Sequence, residues 1–156
     1  MATKEQYEIF KAIYDEETDR YADLRNTAKL FASICSFLIG ALAFKVPALF
    51  LSQALYAKII FAVAVGAFFI ALLLLVKSLG ISSYETMFSP RSVATRLATD
   101  DEFFEDRIAD IVVANERNWA TNRRRSRVIQ IAMYAMFAGV TSTAVGVLLT
   151  VFLSES

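Results

Sequence analysis

Apolar residues follow two rhythms along this 156-residue chain. Near the start they recur every three or four positions: Tyr7, Phe10, Tyr14, Tyr21, Leu24, Ala28 and Phe31. Glu17 breaks that stripe, and Ile9 and Ile13 widen it. The spacing predicts an amphipathic helix with a coiled-coil-like seam. The stretch holds neither Pro nor Gly, so it is expected to continue into the apolar run that follows. Rhythm then gives way to three runs: Ala28 to Phe44, Ile59 to Val76 and Val128 to Leu153. A bilayer core needs roughly 20 apolar residues in a helix. The middle run has no polar face, whereas a helix of a water-soluble protein keeps one. The third run would extend about 39 Å at 1.5 Å per residue, so it is expected to tilt or protrude.

These runs predict an all-α membrane protein with three transmembrane helices and amphipathic cytoplasmic helices. Residues 1–28 form a cytoplasmic helix, and 28–76 a transmembrane hairpin. The connection 45–58 lies at the outer interface, with Pro47 interrupting or starting a helix and Tyr56 as an anchor. The alternative is an extension of the second helix beyond Lys58. Residues 77–127 form a cytoplasmic helical region, and 128–153 the third span.

Within 77–127 a helix start is legible. Thr99 and Glu102 fit a capping box, and Asp100 and Asp101 suit the positive end of a helix dipole. Phe104, Ile108 and Ile111 then make a stripe that continues as Asn115, Asn118 and Asn122. No breaker precedes Gly139, so Asp100 to Leu153 is readable as one helix, with a kink allowed at Gly139. The two cytoplasmic seams are expected to pack on each other or on neighbouring subunits, with the asparagines setting register or simply facing water. Ser89–Pro90 is a candidate start for a short helix.

Charge fixes the direction of insertion. Net charge is zero, but residues 59–76 and 128–154 hold no Asp, Glu, Lys or Arg. An Arg at a helix centre costs about 2.5–3.5 kcal/mol on insertion. Arg123, Arg124, Arg125 and Arg127 therefore stop the third span at the headgroups, where they are candidate lipid contacts. Nine Lys and Arg fall in 77–127 and five in 1–29, against two in 45–58 and none after Leu153. Positive flanks stay cytoplasmic, which puts the N-terminus inside and the C-terminus outside. A nucleic-acid patch uses the same residue types, but it lacks interleaved aromatics here, and no nucleic-acid partner is expected. Neither a signal peptide nor a lipidation motif is read at the start of the chain.

Catalytic chemistry is thin. There is no His and one Cys, Cys35, so a Cys/His zinc site and an internal disulfide are excluded. Cys35 lies in an apolar run and reads as a small buried hydrophobe. Without His the usual general base is absent. The cluster Asp100, Asp101, Glu102, Glu105 and Asp106 reads as a helix start rather than a metal site. No enzymatic activity and no cofactor are expected. The spans also lack, beyond Lys29 at the edge of the first run, the charged groups that mark transport pathways. They do carry small residues at packing intervals: Ala28, Ala32, Ser36 and Gly40 in the first, and Ala135, Gly139, Thr143, Gly146 and Thr150 in the third. Such stripes let helix backbones approach closely and predict homo-oligomers. The third run's hydroxyls either line a wet passage or bond to their own backbone.

Taken whole, with "LRNTAKLFASI" entering the bilayer and "NERNWATNRRRSRVIQIA" re-entering it, the layout resembles the small multi-pass membrane effectors of bacterial antiviral defence systems. That resemblance implies residence in the inner membrane, a trigger from a cytoplasmic protein partner, and membrane damage or depolarisation. Two-span families of this kind lack a segment like Val128–Leu153, and no functional residue is carried over. Three functions follow: an oligomeric pore or effector gated through the cytoplasmic helices, a non-conducting anchor whose stripe Tyr7 to Phe31 recruits a cytoplasmic protein, or a lysis holin. The charge asymmetry makes one immediate prediction. A tag appended after Ser156 should be reached by a membrane-impermeant protease only from the outer face, and digestion from the cytosolic side would reverse the insertion.

Overall fold

A computed structural model describes residues 3–52, 55–81 and 100–154. Three helices make up the fold: α1 (Lys4–Ser52), α2 (Leu55–Leu79) and α3 (Asp100–Ser154). The protein is all-α, and each helix is long and apolar enough to cross a membrane. Hydrogen bonding within a segment is what permits this, since hydrocarbon offers a backbone N–H or C=O no other partner.

Helix α1 starts on a reciprocal cap. The Gln6 amide donates to Thr3 Oγ1 at 3.3 Å, and the Thr3 amide donates to Gln6 Oε1 at 3.0 Å. The "TKEQ" tetrapeptide is a capping box that the periodicity argument passes over. The helix then continues without a break for 49 residues. It passes through Pro47, where the sequence predicts an interruption; the ring removes one amide donor, but the helical turns on both sides keep theirs. Helix α3 begins at Asp100 and is likewise uninterrupted for 55 residues, through Gly139. The expected cap at Thr99 and the short helix at Ser89–Pro90 lie outside the described residues.

Two compact units divide these helices. One comprises 1–25 and 81–126, the other 26–80 and 127–156. In the first, α1 and α3 pack through the two stripes seen in the sequence. Tyr14, Ile111 and Ala114 form the buried cluster, flanked by Tyr7 and Phe10. The Tyr7 and Phe104 rings tilt at 49° with centroids 5.7 Å apart, a favourable edge-directed geometry. Buried positions on α3 here are Arg107, Ile111, Ala114, Asn118, Asn122 and Arg125. They advance in steps of four and three, with one extra step of four between the asparagines. Such a stutter locally relaxes a heptad seam.

The second unit is a three-helix bundle. Its buried positions on α2 are Ala64, Phe68, Ala71, Leu75 and Ser78, again alternating four and three. On α3 they are Ile129, Ala132, Met136 and Gly139, and on α1 Ala28 and Cys35. A 3.5-residue period is that of left-handed helix packing. The opposite faces are apolar too: Phe69, Ile70, Leu73, Ile131 and Phe137 are all at least half exposed. Water-soluble monomers rarely leave patches of that extent open; a lipid surround requires them.

Helix α2 meets α3 as knobs on holes. An added Cβ at Gly139 would lie 3.0 Å from two atoms of the Phe68 ring, and one at Gly146 would lie 3.2 Å from Ile60 Cγ2. The pairs run in opposite directions, as antiparallel neighbours must. Gly40 of α1 has no such neighbour within 4 Å. Gly139→Ala should therefore destabilise the protein by about 1–3 kcal/mol through overpacking, while Gly40→Ala meets nothing within the chain and should not overpack it. Thermal unfolding of the two variants in detergent checks both, and equal stability would mean that the Phe68 ring yields freely.

Candidate functional site

The unit formed by 1–25 and 81–126 contains the polar chemistry most constrained by its surroundings. Asn118, Asn122 and Arg125 are fully buried, on a seam whose neighbours toward Asp100 are Ile111 and Ala114. A buried amide or guanidinium is costly unless it is bonded. Asn122 Nδ2 donates to the Glu17 backbone carbonyl at 3.0 Å and to Glu17 Oε2 at 2.8 Å. Glu17, which interrupts the aromatic stripe of α1, is thus the acceptor that the α3 asparagine needs. One turn on, the Arg125 guanidinium stacks on the Tyr21 ring, 4.2 Å from its centroid, and Nη2 donates to the Ile81 carbonyl just beyond the end of α2. Arginine suits this position, since its planar cation is weakly hydrated and stacks on aromatic faces.

The predicted protein-contact face is largely occupied within the chain. Tyr14 and Ile111 are buried; Tyr7, Phe10, Tyr21, Phe104, Ile108 and Asn115 are half-buried; Asn118 is fully enclosed. What remains open is a shallow groove of about 320 Å³ lined by Phe10, Ile13, Val112, Asn115, Glu116 and Trp119. Trp119 is 47% exposed there. The sequence stripe ran through Ile108 and Asn115, whereas the buried seam runs through Arg107, Ala114 and Arg125. A charged residue at a seam position defeats a search that counts only apolar ones.

The arginine run divides. Arg123, Arg124 and Arg127 are exposed, and Arg123 stacks on Trp119 at 5.2 Å. Arg125 is different: its side chain is fully buried, against Tyr21 and the Ile81 carbonyl, and so is not open to a headgroup as the sequence reading expected. The reason is helical geometry, since position 125 falls on the seam side and its neighbours do not.

The small-residue stripes also part. On α3, Gly139 is buried against Phe68, and Gly146 is half-buried beside Ile60. Thr143 donates its hydroxyl to the Gly139 carbonyl at 2.9 Å, so it is satisfied by its own helix; the Thr150 side chain lies outside the described residues. On α1, Ala32 and Gly40 are half-buried and Ser36 is exposed. Ser36 donates to the Ala32 carbonyl at 2.9 Å. Among the described residues, no three Asp, Glu, Cys or His side chains gather as a metal site would require; the side chains of Asp100, Asp101 and Glu102 are not among those described.

Helices of this length and composition, apolar on their outward faces, define a multi-pass α-helical membrane protein. No family model matches the chain, and neither does any curated protein or solved structure.

The Glu17–Asn122 pair makes the seam testable. Hydrogen bonds to charged groups contribute about 1.5–3 kcal/mol each. Asn122→Ala should lower unfolding stability by about 2 kcal/mol and speed amide exchange around Tyr14 and Ile111. A double-mutant cycle with Glu17→Ala should show coupling, and strictly additive losses would break the assigned pair.

Proposed function

We propose that this chain is a homo-oligomeric, non-enzymatic effector of the bacterial inner membrane that forms or gates a pore under control of its cytoplasmic helices. The observation that supports this most is the continuity of α3 from Asp100 to Ser154. The helix that carries the cytoplasmic seam is the same helix that carries the third span. A change in the packing of Ile111, Asn118 or Asn122 thereby has a covalent route to the membrane. In keeping with the architectural resemblance, the trigger in this reading is a cytoplasmic protein that senses infection.

The packing revises where a passage would lie. Gly139 and Gly146 face α2 and the Thr143 hydroxyl is used by its own backbone, which disfavours a pore walled by that face. The stripe Ala32, Ser36 and Gly40 on α1 is the more open of the two, and Gly40 has no neighbour within 4 Å. Protomers in this reading meet through α1, and the passage runs between them.

A second reading has its own observation. The groove beside Trp119 opens on the cytoplasmic unit and suits the apolar edge of a partner helix. In that case the chain is a non-conducting anchor that recruits a cytoplasmic protein.

Reconstitution separates the two. The pore reading expects a mass above the monomer in detergent and ion flux from loaded liposomes, with Gly40→Leu returning the mass to monomer and abolishing flux without loss of helix content. A stable monomer that leaves liposomes sealed would sink it and favour the anchor, for which Trp119→Ala should then abolish capture of the partner.

A further inference from the structure

We infer that the outward face of α3 around Arg123, Arg124 and Arg127 is a binding site for the phosphate-bearing headgroups of anionic phospholipids, selective over zwitterionic ones. The inference does not depend on whether the chain conducts.

Four arginines within five positions do not form one undifferentiated basic patch. Burial of Arg125 against Tyr21 and the Ile81 carbonyl fixes which side of the helix faces inward. At 100° per residue, the other three then fall within an arc of roughly 100° on the other side. All three are exposed, and among the described residues none of them is held in an ion pair. The stretch of α3 that carries them offers no anion, because no Asp or Glu occurs between Glu116 and Glu155. Three adjacent, uncompensated guanidiniums select a ligand with several anionic oxygens, and their forked donors match phosphate.

The surroundings favour lipid over a soluble phosphate compound or a nucleic acid. Residues 128–154 carry no charge, so the arginines stand at the point where α3 enters hydrocarbon. Helical spacing continues their face as Gln130, Ile131, Tyr134 and Phe137, which are exposed. That sequence of groups follows a phospholipid from its polar end inward: cations, then an amide and a phenol that bond at 3.3 Å, then hydrocarbon. Trp119 under Arg123 adds an indole one turn outward, a residue type enriched at membrane interfaces.

The test uses the full chain in phosphatidylcholine vesicles doped with phosphatidylglycerol or phosphatidylcholine bearing a nitroxide at the same acyl carbon. The motionally restricted fraction in electron paramagnetic resonance reports how often each lipid contacts the protein. At low salt the wild-type chain should prefer phosphatidylglycerol by about fivefold, the factor expected from a single basic contact near the surface. The triple variant Arg123→Gln, Arg124→Gln, Arg127→Gln should show no preference, and the corresponding triple Lys variant should retain most of it. Because these arginines also direct insertion, the Gln variant could insert the other way round. The wild-type chain in 1 M salt, where the Debye length is about 3 Å, then measures the same interaction with the sequence unaltered, and its preference should fall close to one. An equal preference in wild type and a correctly inserted Gln variant, or one that 1 M salt leaves intact, overturns the inference. So does a wild-type chain without preference at low salt, including one whose three arginines instead hold duplex DNA in detergent.

Discussion

The cost of placing charge in hydrocarbon governs this molecule. It leaves α2 between Ile59 and Val76, and α3 beyond Arg127, without an Asp, Glu, Lys or Arg. It also requires each span to satisfy its own backbone, which only a helix does in a chain of this kind. Once the spans are helices without charges, cohesion must come from close packing, since lipid tails are as apolar as the side chains they would replace. The Phe68 ring lying against Gly139 is that principle at atomic scale. Bulk hydrophobicity cannot hold α2 on α3, but a ring filling the space of a missing Cβ can.

In the unit formed by 1–25 and 81–126, α1 and α3 obey different rules. The seam accommodates polar groups, two of which, Asn122 and Arg125, are held by hydrogen bonds to Glu17 and to the Ile81 carbonyl. Arg107, Asn118, Asn122 and Arg125 occupy positions that an apolar heptad would give to leucine. Polar groups at such positions set register at the expense of stability. Asn122 accomplishes this by taking both the carbonyl and the carboxylate of Glu17, a pairing that a shift of α1 by one turn would break. Tyr21 and Arg125 add a second fixed point one turn away.

Much of the architecture was legible because it follows from periodicity and charge alone. The three apolar runs and the start of α3 at Asp100 follow from spacing. The continuity of α3 was one reading that spacing allowed. The packing of Tyr14 on Ile111 was one of two pairings the stripes left open, with Ala114 in the place the stripe gave to Asn115. Pro47 misled, because a proline's local penalty is read from sequence more easily than the helical turns that outweigh it. The finer site was less legible for a related reason. Seam searches look for apolar residues, so Glu17 counted as a defect and Arg125 as one more headgroup arginine. The informative signal was reciprocal: an acid at a seam position of one helix and an asparagine at a seam position of the other. Which small residues are consumed within the protomer could not be read at all, since Gly139 and Gly40 differ only in what stands opposite them.

The contact between Arg125 and the Ile81 carbonyl joins residues 44 positions apart, and synthesis from the N-terminus gives that separation a direction in time. Tyr21 and Ile81 are both made before Arg125. Neither the Tyr21 ring nor the Ile81 carbonyl has its guanidinium partner until the chain has grown past position 125. A chain truncated before Arg125 therefore lacks the bolt that ties Ile81 to Tyr21.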